Sequence, residues 1–225
     1  MRPSNLELAF QTPATSVEVN SVLRKTYFLL SLTLMLSAAT AAYSMISHAA
    51  PNVAVLLVGM FGFYFLTIAL RNSPWGVLAI FAYSGFMGYT LGPVLNAFIS
   101  TYANGTELIA TAFGATSVIF LGMSAYAVIS RQNFSYLGGF IAVTSMILFL
   151  GSLLGLFFNM PIFQLLISGG FAVISAAFIL FTTNQIINGG ERNYIMATIS
   201  LYIAFFNLFV SLLRIFGAFA GNNRQ

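Results

Sequence analysis

Residues 194–217 read YIMATISLYIAFFNLFVSLLRIFG, from Tyr194 to Gly217, with Arg214 as the only charge in 24 positions. An apolar run of that length is a candidate membrane span, because a bilayer core of ~30 Å needs about 20 apolar residues in a helix. The chain contains six more such runs. Cutting the sequence where charge, Pro, Gly and Asn cluster leaves apolar pieces at 26–47, 53–70, 75–99, 107–129, 136–158, 161–184 and 194–217. The connections between them are short, which predicts an all-α polytopic membrane protein, seven transmembrane helices in a compact antiparallel bundle.

Composition agrees. The 225 residues hold eight Lys and Arg, four Glu, no Asp and one His, and charged residues are 5% of the chain against 59% apolar ones. A soluble surface needs roughly 25% charge, so a soluble enzyme is excluded. The net charge of +4 is spread singly and forms no stripe that could track phosphates, which argues against nucleic acid as a partner. The natural partner is membrane lipid. With no Cys and a lone His48, neither a thiolate nor a His-based metal site can be assembled, so no metal and no cofactor are expected.

Charge placement predicts orientation. With the N-terminus in the cytoplasm, Arg2, Arg24, Lys25, Arg71, Arg131 and Arg192 lie on that side, and only Arg224 and the helix-embedded Arg214 lie toward the other. The C-terminus then falls outside. The organisation expected is a flexible cytoplasmic tail over 1–23, a helical domain over 24–220 and a short outer tail over 221–225. A leader of this length with two Glu is unlike a signal sequence, so Ala39-Thr40-Ala41 reads as helix packing rather than a cleavage site.

Within the spans, chemistry is sparse. No span carries a carboxylate near its middle, an aspartyl protease is impossible without Asp, and Ser124 with the distant His48 makes no nucleophile pair, so no catalytic residue is assigned. On the last span, steps of four and three from Ser200 give Ala204, Asn207, Ser211 and Arg214, one face of a helix. A polar stripe on an apolar helix is expected to face protein or a water-filled cavity, which makes the seventh helix central; the stripe serves either as hydrogen-bonding glue or as the wall of a pathway. Arg214 either snorkels to the interface or pairs with Glu107, the acid expected on its side of the membrane. The sixth span carries Ser168, Ala172, Ser175 and Thr182 on one face. Gly92-Pro93 is expected to break the third helix, with Asn96 on the next turn.

Several of these segments resemble the Bax inhibitor-1 family of seven-helix membrane proteins: Leu91 to Asn96, Asn133 to Gly138, and Ser200 to Phe209 with Leu212-Leu213-Arg214. Val22 to Leu30 and Asn188 to Tyr194 are similar, more narrowly, to the bacterial YccA-like branch. The wider resemblance implies a pH-sensitive calcium or proton leak that uses an acid pair between the sixth and seventh helices. Those acids would fall at Thr182 and Ala204, and neither residue titrates or offers a carboxylate to calcium. The narrower resemblance implies a non-enzymatic inner-membrane protein that serves as modulator or substrate of the FtsH membrane protease and its HflKC partner complex. The missing acid pair favours this second role.

Overall fold

The computed structural model describes residues 16–48, 53–130, 132–155 and 160–222. Seven helices cover nearly all of them: α1 (Ser16–Ile46), α2 (Val53–Leu70), α3 (Trp75–Thr101), α4 (Gly105–Ser130), α5 (Leu137–Leu154), α6 (Pro161–Ile187) and α7 (Tyr194–Asn222). Six are long and apolar enough to cross a bilayer. The exception, α2, has 18 residues and no charge, which places it at the short end of the spanning range. The fold is that of an all-α polytopic membrane protein.

Two boundaries differ from expectation. Helix α1 starts at Ser16, so residues 16–23, expected in the tail, are helical. The cause is tertiary, since Val19, Ser21 and Val22 meet Ile186, Gly189 and Glu191 around a small cavity and lean on the α6–α7 connection. At the far end, α7 continues to Asn222. The remainder of the expected tails, 1–15 and 223–225, with Arg2, Glu7 and Arg224, and also Arg131, lie outside the described residues.

Helix α7 is the central element. It packs against α1, α3, α4 and α6, and 61% of its most apolar stretch is buried, against 11% for α5, which packs chiefly on α6. The core around it is built from Leu30 of α1, Ile80 and Tyr83 of α3, Phe120 of α4, Ile179 of α6 and Leu201 and Leu208 of α7.

The seam between α1 and α3 depends on glycine. A Cβ at Gly88 would lie 2.6 Å from Ser37 Cα, and one at Gly92 would lie 2.5 Å from Ser44 Cβ and 3.0 Å from Met45 N. Gly88-x-x-x-Gly92 therefore lets two backbones touch. The expected break at Gly92-Pro93 is not a break, because α3 is continuous from Trp75 to Thr101. Proline removes one hydrogen bond, and the flanking helical turns together with the packing of α1 hold the rest of the helix in place. Gly92 serves the close contact, not an interruption.

Candidate functional site

The stripe on α7 divides when the helix is packed. Ala204 is 1% exposed and belongs to the apolar core, and Ser211 is also buried. Ser200 is half-buried, whereas Asn207 and Arg214 are exposed. Asn207, Arg214 and Ala218 follow at seven and four positions and form one narrow exposed strip along the helix. The five residues thus share an angular sector but not an environment. Arg214 and Glu107 are both exposed, and among the described residues no ion pair joins them. Thr182, at the other position implied for an acid, is buried on α6. No group of three or more His, Cys, Asp or Glu side chains able to hold a metal is found among the described residues. Asn96 is structural, since its Nδ2 donates to Met45 O at 3.0 Å and satisfies a carbonyl in the last turn of α1.

The polar side chains that the structure does bring together lie elsewhere. In the middle of the bundle the hydroxyls of Ser37 and Tyr202 are 2.6 Å apart, Ser37 Oγ lies 2.6 Å from Ser84 O, and the Tyr202 hydroxyl lies 3.2 Å from the same carbonyl. This buried cluster ties α1, α3 and α7 together. Composition gave no sign of it, because Ser37 and Tyr202 are 165 positions apart.

The end of the bundle that carries Arg24, Lys25, Arg71 and Arg192 holds a second network. Buried Asn184 of α6 accepts from Phe134 N and from Asn188 Nδ2, both at 2.9 Å, and donates to Gln132 O at 2.7 Å. It thereby satisfies the backbone of the α4–α5 connection, whose buried groups need partners. Asn193 caps α7: its Oδ1 accepts from Ile195 N at 2.9 Å and Met196 N at 3.2 Å, and its Nδ2 donates to Arg71 O at 2.9 Å. The Tyr27 hydroxyl meets Thr183 Oγ1 at 3.1 Å. The sequence signal for Asn193 was present, as an Asn placed immediately before an apolar run is a helix start. For Asn184 the polar run Thr182 to Gln185 gave a location without a role.

Two cavities of about 540 Å³ flank α7 and share no lining residue. One lies among α1, α3, α4 and α7; Leu34, Ala38, Leu95, Ile109, Phe113 and Phe206 give it apolar walls, and Ser37 and Tyr202 are among its few polar neighbours. The other is a cleft over α6 between α5 and α7, with Arg214 in one wall. Neither of these two is lined by Asn207 or Ser211.

A seven-helix membrane bundle is the arrangement the segment resemblances implied, and the stripe on the last span had placed α7 at its centre. A family model described as inhibitor of apoptosis-promoting Bax1 matches residues 19–221. The chain belongs to the Bax inhibitor-1 family. Within it, the chain is 50% identical to an uncharacterized protein of Pseudomonas aeruginosa, over 92% of this chain and 93% of that one. It is 45% identical to the modulator of FtsH protease YccA of Escherichia coli K12, over 89% of this chain and 91% of the relative. The inner membrane protein YccA of Escherichia coli O6:H1 matches to the same extent. Against the family pattern, the two positions implied for the acid pair hold a buried hydroxyl at Thr182 and a methyl at Ala204.

Proposed function

We propose that this chain is a non-enzymatic inner-membrane protein that modulates the FtsH protease, with the HflKC complex as a further partner. The observation that carries this reading is the 45% identity, over nearly the full length of both chains, to a relative named as a modulator of that protease. The placement of Arg24, Lys25, Arg71 and Arg192 at one end of the bundle supports a cytoplasmic N-terminus, the side on which cations accumulate. A calcium or proton leak draws no support from the geometry, because its implied acid positions are buried and cannot titrate.

The test is the half-life of an FtsH membrane substrate in Escherichia coli deleted for its own YccA. Expression of this chain should lengthen that half-life, and crosslinking in the same membranes should join the chain to FtsH and HflKC. An unchanged half-life, with the chain present in the membrane and FtsH active, would refute the reading.

A further inference from the structure

The cleft beside Arg214 has the chemistry of a lipid site. Its floor is α6, with Phe163, Gln164 and Ile167; its walls are Gly151 and Ser152 of α5 and Arg214 and Ala218 of α7; Phe98 of α3 and Tyr102, just past the end of that helix, close one end. It exists because α5 packs on α6 and leaves the space over α6 between itself and α7 unfilled. A volume of about 540 Å³ is within the range of ligand-sized pockets.

Arg214 lies eight residues before the end of α7, between Leu213 and Ile215. A cation at that depth is stabilised by an anion beside it. Of the acids among the described residues, Glu18 and Glu191 lie at the opposite end of the bundle, and Glu107 forms no ion pair with Arg214. The cleft is lined by Arg214 together with Gln164 and Tyr102, whose side chains can donate, and its lining contains no carboxylate; the Ser152 hydroxyl is engaged with Phe149 O at 2.7 Å. That set complements an anion, and guanidinium binds phosphate oxygens in a two-pronged geometry. The walls continue as Phe98, Phe163 and Ile167, with Ile167 seated against Gly151, an apolar surface that suits an acyl chain.

We propose that this cleft binds an anionic phospholipid, with the headgroup phosphate on Arg214 and an acyl chain along the α5–α6 wall. The inference stands apart from the protease reading and neither depends on the other. The full chain, purified in detergent, is titrated with phosphatidylglycerol, phosphatidylcholine or inorganic phosphate and followed by native mass spectrometry and melting temperature.

Phosphatidylglycerol should bind and raise the melting temperature, with phosphatidylcholine weaker by about tenfold and inorganic phosphate without effect. Arg214→Gln should lose that preference, and Arg214→Lys should keep part of it. Ala218→Phe, which blocks the cleft while leaving the cation in place, should weaken phosphatidylglycerol and supplies the test should Arg214→Gln fail to fold. Equal binding of phosphatidylglycerol to Arg214→Gln and the parent would overturn the proposal, as would equal binding of both lipids or a shift by inorganic phosphate matching that of lipid. Undiminished binding to Ala218→Phe would also overturn it.

Discussion

Gly88→Ala should loosen the centre of the bundle. The new methyl would stand 2.6 Å from Ser37 Cα and nearer still to Ser37 O and Thr40 Oγ1. Two of those three atoms belong to the main chain of α1 and cannot rotate away. Relief requires α1 and α3 to part until that contact exceeds 3.4 Å, where ordinary van der Waals packing begins. The same seam holds the 2.6 Å contact from Ser37 Oγ to Ser84 O, so parting the helices stretches it and disturbs the Tyr202 hydroxyl that shares the cluster. Overpacking costs about 1–3 kcal/mol, and two weakened interhelical hydrogen bonds add about 0.5–1 kcal/mol each. Alanine's better helix propensity offsets roughly 1 kcal/mol of this, leaving a net loss of about 2 kcal/mol. Unfolding in mixed detergent and SDS micelles reads the change directly. Gly114→Ala is the control, because a Cβ there meets nothing within 4 Å and should leave stability equal or slightly raised. If Gly88→Ala and Gly114→Ala unfold at the same midpoint, the backbone contact does not hold the seam and the reasoning fails.

Asn184→Ala should leave the buried Phe134 N–H and the Gln132 carbonyl without their partner, at a cost of about 2–4 kcal/mol in the same assay. Gln185→Ala, which removes an exposed 3.4 Å contact to Ser135 and packing on Gly190 but no buried hydrogen bond, should cost less than about 1 kcal/mol, and equal losses in the two variants would count against the hub. For transport, vesicles carrying the purified protein and a calcium or pH dye should show no flux above empty vesicles. Flux that Asn207→Leu reduces would restore the leak reading.

Much of the fold could be read from the sequence because lipid is a uniform solvent. Any helix that crosses it must be apolar for about 20 residues and must satisfy its own backbone, so seven runs broken by Arg71 to Pro74, Asn184 to Asn193 and similar clusters mark the helices to within a few residues, the start of α1 excepted. The edges that moved did so for tertiary reasons, as α1 gained residues 16–23 by leaning on the α6–α7 connection.

The stripe on α7 shows where periodicity ends. Spacing establishes that Ser200, Ala204, Asn207, Ser211 and Arg214 share a face, but in a bilayer an apolar face packs as readily against lipid as against protein. Which sector a neighbour covers is therefore not written in the pattern. Packing buried Ala204 and Ser211, left Asn207 and Arg214 exposed, and passed the central polar role to Ser37, Ser84 and Tyr202. The sequence by itself determined that this is a seven-helix membrane protein without an acid pair at Thr182 and Ala204, since hydropathy and residue identity are local. The tertiary structure alone decided that Gly88 and Gly92 bring α1 against α3, that Asn184 holds a loop, and that Arg214 opens onto a cleft. Those facts depend on atoms from distant helices meeting within a few ångströms.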